Sequence, residues 1–437
     1  MDTRKQASRF GRRGFVVGAV TLAVLWAAVG PAAAAAKPVL KKGDRVAIVG
    51  DSITEQKIYS RFMEIYLLAC VPQLELKVMQ FGWSGETAGG FAGRMDNDMM
   101  PWKPTVVTTC YGMNDGRYTK YTEAIGKAYE GPMRRIVAGV KKASGTVVVG
   151  SPGVVDSWAY DRRQRRHPAA VYNENLKQLA GIARKIAADN GMPFANVYAA
   201  MMSAMTGAKA ALGEEYHVAG GDGVHPSDNG QLVMAYAFLK AMGLDGEIGT
   251  ITVDVAAGKA EATAGHKVLS AEKGTVEVES ARYPFCFHGD AKSPRSTVSI
   301  LPYVPFQKEL NRFRLVVKNA PGAKVNVQWG KQSKVFPADQ LAKGVNLAVE
   351  FLDNPFAPAF RKVSDAVARK QSFETRIIKG LITSFRHFRG NDPEAKEVAA
   401  AMDELGAKLM AMQAKLGDKA RAAVVPVRHK IVITPAE

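Results

Sequence analysis

Short strand-like runs alternate with longer stretches of helical periodicity between residues 45 and 243. The strand-like runs are five or six residues long, apolar or alternating, and rich in β-branched side chains. They occupy residues 45–50, 74–79, 105–110, 146–150 and 194–198. Helical spacing of apolar positions marks residues 57–70, 121–142, 168–190 and 229–242. Apolar strands separated by helices are typical of a parallel sheet that is covered by helices on both faces.

The pattern changes in the second half of the chain. Residues 250–350 carry short β-branched runs separated by turn signals, which predict a β-sandwich. The segment Asn319-Ala320-Pro321-Gly322 lies between two of these runs and predicts a hairpin turn. Residues 357–420 are helical in pattern, and Asp392-Pro393 marks the start of the last long helix. Residues 427–434 predict a terminal strand.

These patterns predict an α/β chain with several domains. We expect a three-layer α/β/α domain with a parallel sheet over residues 40–245, and a smaller β-sandwich-like domain over residues 250–352. A helical segment with a terminal strand is expected over residues 355–437. The chain has 437 residues, of which 47% are hydrophobic and 23% charged. This composition excludes intrinsic disorder and a small disulfide-rich scaffold.

The first 36 residues predict a targeting segment. A basic start precedes an apolar stretch from Phe15 to Val29, and small residues follow at 32–36. This order is that of a secretory signal peptide, and Arg12-Arg13 resembles a twin-arginine export signal. About 15 apolar residues are fewer than the ~20 that a spanning helix needs. We therefore expect export to the periplasm or the exterior and no membrane span after cleavage, with an uncleaved anchor as the alternative.

The charge and the cysteine count bear on nucleic-acid binding and on disulfide formation. The formal net charge is +18, and it falls to +14 without residues 1–36, which carry five basic side chains and one acidic one. A basic chain can indicate nucleic-acid binding, but such binding is less expected for an exported protein. We therefore expect no nucleic-acid partner. The three cysteines, Cys70, Cys110 and Cys286, allow at most one disulfide. Their apolar surroundings favour buried free thiols.

Two short motifs could supply a nucleophile and its base. Gly50-Asp51-Ser52 follows the first strand, and a serine there projects from the edge of a parallel sheet where ligands bind. Asp222-Gly223-Val224-His225 lies near the end of the α/β region, and its histidine could take the serine proton while the aspartate orients the imidazole. Taken singly, each motif could also be only a helix cap or a turn.

Two further loops could stabilise an oxyanion. Residues 82–87 follow the second strand and residues 111–115 follow the third. Backbone N–H groups at glycines and the side-chain amide of Asn114 are donors of the kind that a tetrahedral intermediate needs. Either loop alone would be an ordinary connection between a strand and a helix.

Together the four segments resemble the SGNH (GDSL-type) hydrolase family, whose motifs follow the order Ser, Gly, Asn and Asp-x-x-His. The resemblance covers residues 41–243 and implies a flavodoxin-like α/β/α fold and serine esterase activity. It implies a nucleophile (Ser52), a base (His225), its orienting carboxylate (Asp222) and an oxyanion hole formed by the N–H groups of Ser52 and Gly85 and the side chain of Asn114. The chain departs from the family pattern where Ile53 stands in place of leucine. It departs again where Gln80 or Phe81 stands in place of an asparagine, so Gly82 competes weakly with Gly85.

Four other side chains are candidates for substrate binding. Arg94 matches an arginine that is often found downstream of the glycine block, with a surface charge as the alternative. Trp158 and Tyr160 open an aromatic and arginine-rich loop, residues 158–167, that we expect at the same sheet edge as Ser52. Aromatic rings stack on sugars and arginines hold carboxylates, although the loop could equally be a solvated surface. His217 lacks a carboxylate at a suitable spacing and is either substrate-contacting or structural.

The sequence therefore predicts an exported serine esterase that removes a small acyl group, most simply acetyl, from a carbohydrate. No cofactor and no metal are expected, because no Cys, His or Asp cluster has the spacing of metal ligands. A lipase, lysophospholipase or arylesterase remains an alternative. So does a glycan-binding or cell-wall-binding protein with a vestigial hydrolase domain. The oligomeric state and the ester substrate stay open.

Overall fold

The computed structural model describes residues 38–390 and 392–436. The predicted signal peptide lies outside the described residues. The residues that are described form one compact unit. Within the described part, none of the helices combines the length and the apolar character that crossing a membrane requires.

A five-stranded parallel sheet forms the centre of the first half. Its strands are β1 (Arg45–Gly50), β2 (Lys77–Gln80), β3 (Val106–Cys110), β4 (Thr146–Gly150) and β5 (Phe194–Ala195). Their order is β2-β1-β3-β4-β5, and every neighbouring pair is parallel. The order reverses between β1 and β3, and in such sheets ligands bind beyond the carboxyl ends of the strands at this point.

Helices cover both faces of this sheet, as predicted. They are α1 (Ser52–Glu55), α2 (Tyr59–Ile65), α3 (Ala88–Asp98), α4 (Glu123–Lys142), α5 (Ser157–Asp161), α6 (Ala169–Asp189), α7 (Val197–Leu212) and α8 (Asp228–Ala241). Alternate residues of β1 enter different cores: Val46 and Ile48 pack with α2, α7 and α8, whereas Ala47 and Val49 pack with α3, α4 and α6. Burial on both faces explains why the strands are almost continuously apolar.

Two local expectations about the first half are corrected. The strand expected over 194–198 ends at Ala195, because the side chain of Asn196 accepts a hydrogen bond from the Ala199 N–H and starts α7 at Val197. The helix expected over 57–70 is α2 followed by a π-helical turn, Tyr66–Cys70. All three cysteines are buried free thiols.

Two further sheets make up the β-rich region. The first, in the order β13-β10-β6-β7, consists of β6 (Glu247–Asp254), β7 (Lys259–Ala262), β10 (Arg312–Lys318) and β13 (Val345–Asn346). The second, in the order β12-β11-β14-β9-β8, consists of β8 (His266–Glu272), β9 (Thr275–Ser280), β11 (Lys324–Trp329), β12 (Gln332–Pro337) and β14 (Val427–Pro435). Short helices α9 (Phe306–Leu310), α10 (Ala338–Lys343) and α11 (Leu347–Glu350) connect these strands.

The predicted hairpin at 319–322 is wrong. A turn is present, and Asn319 adopts a left-handed φ of 50°. However, β10 before the turn pairs with β6 and β13, whereas β11 after it pairs with β12 and β14. The turn therefore carries the chain from one sheet to the other.

The C-terminal helices pack on the helices and strands of the first half of the chain. They are α12 (Ala357–Ile377), α13 (Thr383–Phe385) and α14 (Pro393–Ala422), with a π-helical turn at Ile378–Ile382. Helix α12 contacts α2 and β2, and Ile377 and Ile382 join the core on one face of the parallel sheet. The chain then returns to the β-rich region, where β14 is the central strand of the second sheet.

Candidate active site

The loop after β1 places Ser52 at the sheet edge. Asp51 accepts a hydrogen bond from the Ile53 N–H through its side chain and caps α1, so Ser52 is the first residue of a helix. Gly50 is required before it, because a Cβ at this position would lie 2.1 Å from Thr54 Oγ1 and 2.9 Å from the Cys110 carbonyl oxygen. Only glycine therefore fits at position 50, in the tight turn that places Ser52 at the sheet edge.

Ser52, His225 and Asp222 form one hydrogen-bonded chain. The Ser52 Oγ and His225 Nε2 are 2.9 Å apart, and His225 Nδ1 lies 2.6 Å from Asp222 Oδ2. The other oxygen of Asp222 accepts the N–H groups of Val224 and His225, both at 2.9 Å. These bonds close the turn around the aspartate and fix both side chains in one orientation.

The electrostatics of this chain determine which groups donate. Burial alone would raise the pKa of Asp222, but the hydrogen bonds from the His225 ring and from two backbone N–H groups outweigh it and lower that pKa. The aspartate is therefore ionised, and Nδ1 carries the proton that it donates. The same bond raises the pKa of His225, against the effect of burial. With Nδ1 protonated, Nε2 of the neutral ring accepts a hydrogen bond from the Ser52 hydroxyl.

Donors from three loops converge on the same edge. Gly85 is exposed and has a left-handed φ of +74°, which suits glycine. Within the described residues, the N–H groups of Ser52 and Gly85 donate to no protein acceptor, whereas the Gly82 N–H donates to Gln80 Oε1 at 2.9 Å. The geometry therefore favours Gly85 over Gly82 as an oxyanion donor.

Two neighbours orient the Asn114 amide. Its Nδ2 donates to the Glu86 carbonyl oxygen at 3.0 Å, and its Oδ1 accepts the Tyr118 hydroxyl at 3.2 Å. One N–H of the amide is left for a ligand. Asp115 supports the same loops by accepting the N–H groups of Ala88 and Gly112. The donor group is thus held by the glycine loop itself.

Comparison with known proteins assigns this edge to a family. Residues 48–233 match the model of the GDSL-like Lipase/Acylhydrolase family. This region of the chain belongs to that family. Over 225 residues the chain is 24% identical to an acetylxylan esterase of Geobacillus stearothermophilus. The alignment covers 46% of this chain and 95% of the relative. The chain is accordingly an ester-hydrolysing enzyme, and the resemblance inferred from its four motifs is confirmed.

The fold likeness extends beyond the family domain. BT4096, described as a gut microbial diltiazem-metabolizing enzyme, superposes with a TM-score of 0.71 at 23% identity. The match covers 91% of this chain and 99% of BT4096, so it includes the β-rich region and the C-terminal helices. The acylhydrolase domain and its C-terminal half therefore form an architecture that is shared with a solved structure.

Arg94 is buried and bound by protein groups, so the surface charge that the sequence left as the alternative is wrong. Its side chain is 2% exposed, because it forms ion pairs with Glu86 and Asp98 at 2.6 and 2.9 Å. It also donates to the Phe81 carbonyl oxygen at 2.7 Å. All of its nitrogens are engaged in this acylhydrolase, so Arg94 holds the glycine loop in place and is a positioning residue.

The remaining substrate-binding candidates lie close to the turn at residues 222–225 or to the loop at 158–167, but in different environments. Tyr160 is buried and packs against Gly223, where a Cβ would lie 2.4 Å from the tyrosine Cα. It therefore supports the catalytic turn and is not available for sugar stacking. Trp158 is half-buried beneath Arg162, whose Cζ lies 4.4 Å from the ring centroid. His217 is partly exposed, with its Nε2 near Gly221.

Sequence reasoning missed several residues around the site. Tyr118, which donates to Asn114, lies in a polar segment without a motif, and only its spacing of four from Asn114 hinted at contact. Lys379 comes from the C-terminal helices and binds both carboxylate oxygens of Glu55 at 2.9 and 2.8 Å. Glu55 in turn accepts the Ser84 N–H, next to Gly85. No local signal could have linked residues 324 positions apart.

Proposed function

We propose that the chain is an exported serine esterase that removes small acyl groups, chiefly acetyl, from carbohydrates. The observation that carries the proposal is the continuous hydrogen-bonded chain from Ser52 through His225 to Asp222. Serine alone is a weak nucleophile, and this arrangement supplies both the base and the group that orients it.

In the proposed mechanism, Ser52 Oγ attacks the ester carbonyl carbon while its proton passes to His225 Nε2. The negative charge that develops on the carbonyl oxygen is bound by the N–H groups of Ser52 and Gly85 and by the Asn114 amide. His225 then protonates the departing sugar hydroxyl, leaving an acyl-enzyme. Water attacks the acyl-enzyme, His225 again takes the proton, and the carboxylic acid is released with Ser52 restored.

One comparison supports a small acyl group on a polar substrate. The curated relative that aligns with the catalytic region is an acetylxylan esterase, which supports a carbohydrate ester as the substrate class.

The main alternative is a lipase, lysophospholipase or arylesterase. It requires a preference for long acyl chains or aryl alcohols, whereas the proposal requires acetyl on a sugar. Release of p-nitrophenol from acetyl and octanoyl esters distinguishes a preference for short acyl groups from one for long acyl groups. Acetate release from acetylated xylan, with Ser52→Ala as the blank, tests whether the enzyme acts on a sugar ester. Higher kcat/KM on the octanoyl ester together with no acetate from any acetylated polysaccharide would overturn the proposal. A non-catalytic binding protein is no longer an alternative for an acylhydrolase.

Export is proposed from the sequence of residues 1–36. The support is Arg12-Arg13 ahead of the apolar stretch and the small residues at 32–36. We expect a mature N-terminus near Lys37 and retention of an Arg12-Arg13 to Lys-Lys variant in the cytoplasm. N-terminal sequencing of the exported protein decides this, and a mature form that still carries Phe15 to Val29 would disprove it.

A further inference from the structure

An arginine-rich loop packs directly on the catalytic turn. The loop, residues 158–167, begins within α5 and continues beyond it. Helix α5 is joined to the turn because the Asp156 N–H donates to the Gly223 carbonyl oxygen at 2.9 Å. Arg163 Nη2 approaches the Gly221 carbonyl oxygen at 3.4 Å, one residue before Asp222. The loop is therefore placed at the mouth of the active site by contacts to the segment that carries the base.

Four arginines of this loop lack acidic partners. They are all exposed: Arg162, Arg163, Arg165 and Arg166. The arginine–carboxylate pairs formed within residues 38–390 and 392–436 involve other arginines. The one acidic residue of the loop, Asp161, is already engaged as an acceptor of the Ala169 N–H at 2.6 Å. The rim of the site therefore presents positive charge that the protein itself does not neutralise.

Arg165 is the arginine whose position is best defined. Its Cζ lies 4.7 Å from the ring centroid of Tyr160 and 5.5 Å from that of Tyr118. Both rings stack on Tyr172, with centroid distances of 6.1 and 5.1 Å. Tyr118 also donates to Asn114, so the guanidinium lies over a rigid aromatic group that ends at the oxyanion donors.

The charge of Arg165 reaches the catalytic base. It acts to lower the pKa of His225, opposing the larger effect of the Asp222 hydrogen bond. A guanidinium over aromatic rings is held flat and keeps its N–H donors directed sideways. Planar forks of this kind bind carboxylates through two parallel hydrogen bonds.

We propose that Arg165, with Arg163 beside it, binds a carboxylate on the sugar next to the ester, so that the preferred substrate is an acylated carbohydrate containing uronate. This inference rests on the proposed function and names its substrate class. A neutral acetylated sugar offers no carboxylate to these arginines, whereas the carboxylate of a uronate can accept their hydrogen bonds. The attraction between opposite charges also steers an anionic polymer toward the site at low ionic strength.

The test compares two synthetic esters that differ in one group. A mono-O-acetylated methyl glucuronoside carries a carboxylate where the matching acetylated methyl glucoside carries a hydroxymethyl group. For the wild-type enzyme we expect kcat/KM to be about tenfold higher on the uronate at low salt. The advantage should shrink as NaCl is added, because exposed charges are screened.

Variants separate the charge from the packing. Arg165→Gln should bring the ratio of the two kcat/KM values close to one, and Arg165→Lys should retain part of the advantage because it keeps the charge. Arg184→Gln removes the same charge from an exposed position near the far end of α6 and should leave the ratio unchanged.

Failure of this inference differs from failure of the proposed function. Equal kcat/KM on both sugar esters, or a preference that survives in Arg165→Gln, overturns the carboxylate site while leaving a carbohydrate esterase. Hydrolysis of p-nitrophenyl acetate with no hydrolysis of either sugar ester overturns the carbohydrate assignment and the carboxylate site with it.

Discussion

The sheet edge around Ser52 and the interface under the C-terminal helices both rely on hydrogen-bonded polar groups, but they are assembled differently. At the edge, each functional residue follows a strand or closes a turn: Ser52 follows β1 and Asn114 follows β3. At the interface, Lys370 of α12 lies between Glu64 and Glu374, at 2.9 and 2.6 Å, and all three are buried. Glu64 and Lys370 are 306 residues apart in the chain.

The difference shows what each region depends on. The edge follows from topology, because the carboxyl ends of parallel strands must meet there whatever else the chain does. The interface depends on how the faces of two helices are aligned. It buries charged side chains whose burial would cost free energy if their partners of opposite charge were absent. Lys379 connects the two regions, since it holds Glu55 and through it the loop of Gly85.

The largest expected effect is at the edge. Ser52→Ala removes the proposed nucleophile, and kcat should fall by roughly 10⁴–10⁶-fold, as when one member of a catalytic unit is lost. Because such groups act together, the double variant with His225→Ala should be scarcely worse than either single variant. Steady-state rates on p-nitrophenyl acetate measure this. Normal turnover by Ser52→Ala would show that Ser52 is not the nucleophile and that residues 50–52 only cap α1.

At the interface, Lys370→Met should leave two buried carboxylates without their cation. Burial already raises the pKa of Glu374 to about 7, with the lysine acting against it. We expect a loss of about 3–5 kcal/mol in the free energy of unfolding, measured by urea denaturation. The matched control is Lys408→Met, whose exposed pair with Glu404 should contribute less than about 1 kcal/mol. Equal losses in the two variants would contradict a special role for the buried cluster.

Asn114→Ala tests the edge without removing the nucleophile. Loss of one oxyanion donor should lower kcat by about 10²–10³-fold while KM changes little, because the donor acts on charge that develops in the transition state. Single-turnover kinetics with an activated acetate ester give the acylation rate directly. A fall of less than about fivefold would assign the donor role to Ser52 and Gly85 alone.

The link between the two regions should have a smaller effect. Lys379→Met releases Glu55, so the N–H of Ser84 loses a fixed acceptor and the Gly85 loop is less well positioned. We expect kcat to fall by about three- to tenfold with KM nearly unchanged, and Lys379→Arg to restore most of it. Lys343→Met, which breaks an exposed pair with Asp339, is the control that should leave kcat unchanged. A change in KM alone would argue against positioning.

Much of the edge could be predicted from the sequence because its signals are local. A strand, a tight glycine and a polar residue place Ser52 at the edge without knowledge of the rest of the chain. The burial of Arg94 could not be predicted, because a charged residue in a helix usually faces solvent and no local pattern reveals its ion pairs with Glu86 and Asp98. The sheet change at 319–322 could not be predicted, because a turn signal shows that the chain bends but not which sheet the next strand joins.

The smallest expected effects are pH shifts, and they run in opposite directions in the two halves. The hydrogen bond that His225 Nδ1 donates to Asp222 raises the pKa of His225, so kcat/KM should rise with pH through a midpoint above the ordinary value of 6.5. Burial beside Trp329 and Ser280 in the β-rich region lowers the pKa of His429 to about 3. The folded state therefore binds protons more weakly at His429 than the unfolded chain does. Its contribution to stability is complete above pH 6.5 and is lost progressively as the pH falls from 6.5 toward 3.

Urea denaturation at several pH values, beside a pH–rate profile, separates the two histidines. His429→Gln should reduce the loss of stability between pH 6.5 and 4 without moving the midpoint of kcat/KM, because His429 lies in the β-rich sheets and the rate depends on His225. Asp222→Asn should move that midpoint downward, because it removes the carboxylate that favours the protonated ring. If the rate midpoint moved with His429→Gln and stayed in place with Asp222→Asn, the assignment of the catalytic base to His225 would have to be abandoned.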